Sequence, residues 1–210
     1  MRILFALIFS VAISTAAQAK DIQTAILAGG CFWCVEKDLE SLDGVQDVVS
    51  GFSGGKASNA NYKAVSKKET GHREAVLVTF DADIISYEEL VDIFMRSIDP
   101  HDATGSFCDR GNSYRSAIFA TEEQAPIAMS VLDRLAPTLD EEIYTPVLPA
   151  AEFFPAEDYH QDFYKSKEKI VTRYGLITKA KAYKRYRKGC GRDKRVREVW
   201  GKKASFAWNQ

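Results

Sequence analysis

The chain has 210 residues, 46% of them apolar, with 28 basic and 29 acidic side chains and a formal net charge of −1. That length supports one domain of ordinary size with its own core. An even count of four cysteines, Cys31, Cys34, Cys108 and Cys190, first suggests two structural disulfides, but a chain this long does not need staples for its core and the spacing is unlike a small disulfide scaffold, so a redox role competes with that reading.

Residues 1–19 have the form of a secretory signal peptide. Arg2 supplies the positive start, Ile3 to Ile13 is apolar apart from Ser10, and Ala17-Gln18-Ala19 is a small-x-small cleavage site before Lys20. The apolar run is short for a bilayer span, and nothing later is apolar for long enough. The expectation is an exported protein, periplasmic or secreted, with residues 20–210 as one domain and no stable membrane insertion after cleavage.

Thr24 to Ala28 reads as a strand. Gly29-Gly30 follows, and then Phe32, Val35, Leu39 and Leu42 recur on one face of a helix that Asp43-Gly44 ends. Val45 to Phe52 and Glu74 to Phe80 read as strands, separated by a turn at Ser53-Gly54-Gly55-Lys56 and a polar loop with a short helix near Tyr62. Ser86 and Glu89 form a capping box for a helix whose apolar face runs from Tyr87 to Ile98. Asp99-Pro100 stops that helix. Residues 100–113 read as a polar loop, Tyr114 to Ala120 as a strand, and Thr121 with Gln124 as the opening of a second capped helix. A short strand is expected over Thr145 to Leu148, a helix from about Ala156 to Tyr174, and a short helical pattern reaching Trp200. The order through Ala120 is β-α-β-β-α-β, which predicts an α+β fold with a ferredoxin-like split βαβ core and helices on one face. A C-terminal helix and a basic tail would wrap it. From Lys179 to Lys203 there are 12 basic and 2 acidic residues, against 15 basic and 27 acidic over residues 20–178. This predicts a solvated basic tail lying on an acidic body, and no nucleic-acid partner.

Cys31 sits where a strand turns into a helix through two glycines. Free N–H groups and the positive end of the helix dipole gather there, and they favour a thiolate over a thiol whose ordinary pKa is about 8.5. The competing reading is a small buried apolar residue; the glycines before Cys31 and the aromatics after it argue for chemistry. Glu74 shares a strand side with Val76, Val78 and Phe80, and burial there would keep its carboxyl protonated. A solvent-facing glutamate at a strand end is the plainer alternative. Cys31-Phe32-Trp33-Cys34 also has the C-x-x-C form of a thioredoxin-like disulfide oxidoreductase, but no proline lies between Cys34 and Pro100. A zinc site is disfavoured, because there is no second C-x-x-C and the three histidines lack ligand spacing.

Together the stretches GGCFWCVE at 29–36, GVQDVVSGFSGG at 44–55, NYKAV at 61–65, TGHREAV at 70–76, CDRGNSYRSAIF at 108–119 and EDYHQ at 157–161 resemble the peptide methionine sulfoxide reductase A family over nearly the whole exported chain. The resemblance implies a ferredoxin-like core, no metal or organic cofactor, and the S epimer of methionine sulfoxide, free or in oxidised proteins, as substrate. It implies attack by Cys31 on the sulfoxide sulfur, a Cys31 sulfenic acid, then a disulfide that a thioredoxin-type reductant opens. Glu74 would be the proton donor, with Tyr62 and Tyr114 donating to the same oxygen. Phe32 and Trp33 would wall the methyl group, although Phe32 equally fits core filling, and Asp109 would lie near the substrate backbone. His160 is given no chemistry. Cys34 stands where many members have glycine, which leaves the resolving thiol open among Cys34, Cys108 and Cys190. Cys190 is favoured, because glycines flank it, basic residues beside it favour its thiolate, and the resemblance points to a C-terminal resolving cysteine. A monomer is expected.

Overall fold

Six strands form the main sheet, in the order Val147–Pro149 (β7), Ala117–Ala120 (β6), Ile22–Ala28 (β1), Arg73–Asp81 (β3), Val45–Ser53 (β2) and Phe153–Pro155 (β8). The computed structural model describes residues 20–67 and 69–208; the leader expected over residues 1–19 lies outside them. The central strands are β1 (Ile22–Ala28), β2 (Val45–Ser53) and β3 (Arg73–Asp81). β3 runs antiparallel to both β1 and β2, with Ala25 opposite Val78 and Phe52 opposite Glu74. Short β4 (Gly105–Ser106) and β5 (Asp109–Arg110) pair with each other in the polar loop, while β6 (Ala117–Ala120) lies antiparallel to β1. The edges are β7 (Val147–Pro149), parallel to β6, and β8 (Phe153–Pro155), antiparallel to β2.

Alternation along the strands decides the two faces. Leu27, Phe52, Val76, Val78, Phe80 and Ile118 point into the main core. There they meet α1 (Phe32–Glu40), α3 (Tyr87–Met95) and α4 (Gln124–Leu135) through Val35, Leu39, Leu90, Phe94 and Val131. Ala28, Ala75, Ala117 and Phe119 face the other way into a thinner layer. The capping residues act as their types predict. Ser86 Oγ accepts from Glu89 N (3.2 Å), and Thr121 and Gln124 satisfy each other's backbone N–H groups. Asn61 caps the short α2 (Tyr62–Val65).

The C-terminal half departs from the sequence reading in three places. Tyr114 lies in a one-turn 3-10 helix, and the strand begins only at Ala117. No helix spans 156–174. That segment holds a 3-10 turn at Asp158–His160 and then β9 (Lys169–Thr172), which forms a hairpin with β10 (Gly175–Thr178) just beyond it. Tertiary bonds outweigh helical periodicity there. Gln161 donates to Ser50 O and Ala156 O and accepts from Ser50 N, while Asp162, at φ +54°, donates its N–H to Glu36 Oε1. The basic segment is not a solvated tail. It folds into α5 (Lys179–Gly189) and α6 (Arg192–Trp200), and Arg187 and Arg192 are buried.

Candidate active site

The turn into α1 carries the site. Gly30 has φ +81°, and a Cβ there would stand 2.5 Å from Ser106 Cβ, so only glycine lets β1 turn this tightly against the 105–110 loop. Cys31 then begins α1, its carbonyl accepting from Cys34 N at 3.0 Å. Arg192 Nη1 donates to Gly29 O (3.0 Å) and Nη2 to Ser97 O (3.1 Å), which clamps the turn from the C-terminal side.

Among the N–H groups that a helix start leaves unpaired, that of Phe32 donates to Glu74 Oε2 at 3.1 Å. Glu74 is 3% exposed. Burial pushes its carboxyl up to about 8, against the pull of the Phe32 N–H, so the acid is largely protonated near neutrality. Tyr62 and Tyr114 are both pushed well above the usual phenol range, first by burial and then by the Glu74 carboxylate. Both phenols therefore stay protonated as donors beside Glu74. Burial likewise raises Asp109, opposed by Arg192 and Arg110.

A cavity of about 560 Å³ opens over this turn, with Cys31, Trp33, Tyr62, Cys108, Asp109 and Cys190 in its walls. Glu74 and Tyr114 are not in its lining; they reach the site through Phe32 N and through their field on neighbouring groups. Phe32 is fully buried against Phe52, Tyr62 and His160, which places it in the core beneath the wall. Trp33 is half-buried and stacks on Phe163 at 3.8 Å with 9° between the planes. His160 sits among Tyr62, Tyr159, Phe32 and Trp33, and burial holds it down to about 4, so it is a neutral member of an aromatic cluster. Phe163 was hidden from sequence reading by the helix expected over its segment.

All four cysteines line this cavity. Cys31 donates to Cys34, and this bond, with the two Arg187 and Arg192 guanidiniums, brings Cys34 down to about 7 despite its burial. The same bond, then burial and the nearby acids, raise Cys31 well above the ordinary thiol range. The pair therefore holds one negative charge across that shared proton, with the Arg187 and Arg192 guanidiniums favouring it on the Cys34 side. Cys190 lies at the cavity, as half of a disulfide with Cys108, their Cα atoms 4.9 Å apart. A bonded sulfur cannot attack Cys31, so a resolving role for Cys190 requires that bridge to be open first. Arg187 holds the buried Asp38 through Nη1 at 2.9 and 3.0 Å and also meets Tyr183 and Asp193. No local signal distinguishes these inward arginines from the ten other cations of the basic segment.

A buried acid at the turn of a cysteine, two protonated phenols and a thiol pair are the parts that reducing a polarised S–O bond needs. Residues 23–203 match the family model described as peptide methionine sulfoxide reductase. The chain belongs to the peptide methionine sulfoxide reductase family. It is 44% identical to peptide methionine sulfoxide reductase MsrA 2 of Rhizobium meliloti, covering 97% of this chain and 96% of that one. It is 42% identical to the MsrA of Bacillus subtilis, covering 86% and 97%. Among solved structures, the methionine sulfoxide reductase A of Corynebacterium diphtheriae is similar at TM-score 0.64 and 33% identity, covering 68% of this chain and 73% of that one. The reduced form of Mxr1 from Saccharomyces cerevisiae is similar at TM-score 0.66 and 26% identity, covering 75% and 92%. As a member of this reductase family, the chain is an oxidoreductase of methionine sulfoxide.

Proposed function

We propose that the cavity at Cys31 reduces the S epimer of methionine sulfoxide, free or in oxidised proteins. The observation that carries the reading is the bond from Phe32 N to Glu74 Oε2, which ties a largely protonated buried acid to the turn holding the nucleophile. The Cys31–Cys34 pair shares one negative charge. Moving the proton from Cys31 to Cys34 creates the Cys31 thiolate, which attacks the sulfoxide sulfur while Glu74, Tyr62 and Tyr114 donate to the oxygen. The oxygen passes to Cys31 as a sulfenic acid and methionine leaves. Trp33 offers the methyl group an apolar wall over Phe32, and Asp109 in the cavity wall faces the substrate backbone.

The hydrogen bond between Cys31 and Cys34 favours Cys34 for the first bridge, which forms with loss of water. Cys190 takes part in the exchange that follows, once its bridge to Cys108 is open, and an external thioredoxin-type dithiol restores the thiols. The strand order β6-β1-β3-β2 supports reading the core as a ferredoxin-like split βαβ plan with β7 and β8 added at its edges. We place the enzyme outside the cytoplasm, on the strength of the export signal over residues 1–19. The test is to supply both sulfoxide epimers with dithiothreitol. Consumption of the S epimer alone is the expected result, and consumption of the R epimer alone refutes the assignment. Fully reduced protein given one equivalent of sulfoxide should show a Cys31–Cys34 bridge first by mass spectrometry; a first bridge from Cys31 to Cys190 returns the resolving role to Cys190.

A further inference from the structure

The corner formed by α5 and α6 carries a second cavity, of about 540 Å³, that the reduction chemistry does not use. Its walls include Lys37, Lys184, Lys188, Lys194, Arg197 and the exposed Trp208. Its one carboxylate, Asp193, is already held by Arg187 at 2.7 Å. Lys184 and Lys188 are exposed and make no ion pair among the described residues. This groove shares a wall with the active-site cavity, since the buried Tyr183 and Arg187 line both. Cys190 caps α5 directly between Lys188 and α6, and its disulfide partner Cys108 is exposed. The rest of the exported chain, residues 20–178, is net −12.

We propose that this basic corner is the docking surface for the electron donor, a small dithiol protein with an acidic face around its thiols, and that it aims that face at the Cys108–Cys190 bridge. The inference rests on the disulfide-recycling reading above. An acidic face is repelled by the net-negative body and attracted at this corner, so the field orients the encounter as well as speeding it. Trp208 gives the contact an aromatic surface to bury. The donor thiolate attacks the exposed Cys108 sulfur, breaking the Cys108–Cys190 bond and forming a mixed disulfide. The donor's second thiol then displaces Cys108. Two electrons and two protons pass, the donor becomes a disulfide, and Cys108 and Cys190 become thiols.

The experiment uses free methionine sulfoxide and compares two reductants: an acidic thioredoxin, kept reduced by its own reductase, and uncharged dithiothreitol. Raising salt from about 20 mM to about 500 mM shortens the screening length severalfold. It should lower kcat/KM for thioredoxin by about tenfold or more and leave the dithiothreitol-driven rate within about twofold. K184E/K194E should lower kcat/KM for thioredoxin by about tenfold at low salt, with the dithiothreitol-driven rate and the KM for sulfoxide unchanged. Equal thioredoxin kinetics in wild type and variant at low salt overturn the proposal, as does an equal loss with both reductants. A variant impaired only on an acidic oxidised protein, with dithiothreitol as reductant, assigns the groove to substrate and also overturns it. Absence of dithiothreitol-driven turnover in the wild type refutes the reductase reading itself, and this proposal with it.

Discussion

Glu74→Gln isolates what the buried acid does. The carboxyl has its pKa raised to about 8 by burial, so it is mostly protonated at pH 7 and about one-tenth protonated a unit above its pKa. A step that needs its proton should therefore slow by about tenfold per pH unit on the alkaline side. On the acid side, the Cys31–Cys34 pair loses its first proton at about 7, so the rate should fall below that value as the pair's negative charge disappears. Single-turnover methionine release, with enzyme in excess, should be bell-shaped with its maximum between these limbs. In Glu74→Gln the amide can donate a hydrogen bond but not a proton; the rate should fall roughly 10²-fold and the alkaline limb should vanish, while Glu74→Ala should lose up to about 10⁴-fold. The same group makes a stability prediction with a definite sign. Its folded pKa lies above the ordinary 4.5, so the fold penalises the charged form. The penalty is absent below the unfolded value and complete above about 8. Urea unfolding should show Glu74→Gln more stable than wild type at high pH, by up to a few kcal/mol, with the gap shrinking as pH falls. An alkaline limb that survives unchanged in Glu74→Gln would refute the assignment of the acid.

Three further outcomes are expected. Cys31→Ser should abolish sulfoxide turnover, because a hydroxyl is far less nucleophilic at neutral pH; a rate near wild type in a methionine-release assay contradicts this. Arg187→Met removes the hydrogen-bonding partner of the fully buried Asp38 and leaves it only the more distant Lys37 and Arg192 cations, at 3.6 and 3.9 Å, and it should cost about 3–5 kcal/mol in urea unfolding. The same change should raise the Cys34 titration seen by thiol alkylation against pH, since Arg187 is one of the charges holding it down; a loss under about 1 kcal/mol would rule out a dry ion pair there. N-terminal sequencing of secreted protein should begin at Lys20, and a start at Met1 would exclude cleavage after Ala19.

Local chemistry was legible in the chain where a residue's neighbours in sequence are also its neighbours in space. The two glycines, the strand before them and the helical spacing after them place Cys31 at a helix start, because backbone sterics and periodicity act over a few residues. Alternation in β3 likewise put Glu74 on the buried side with Val76 and Val78, where its bond to Phe32 N now shows it. The caps at Ser86 and Thr121 belong to the same class. What required the tertiary structure was anything decided by partners far along the chain. Residues 156–174 have a helical look, but Ser50 and Glu36, more than a hundred residues earlier, take their polar groups into other bonds. Arg187 and Arg192 look like solvated members of a basic run until Asp38 and the carbonyls of Gly29 and Ser97 claim them. The division of charge between Cys31 and Cys34, and the pairing of Cys190 with Cys108, follow from that long-range packing, since a thiol's ionisation and its reachable partner depend on which charges and sulfurs the fold brings within a few ångströms.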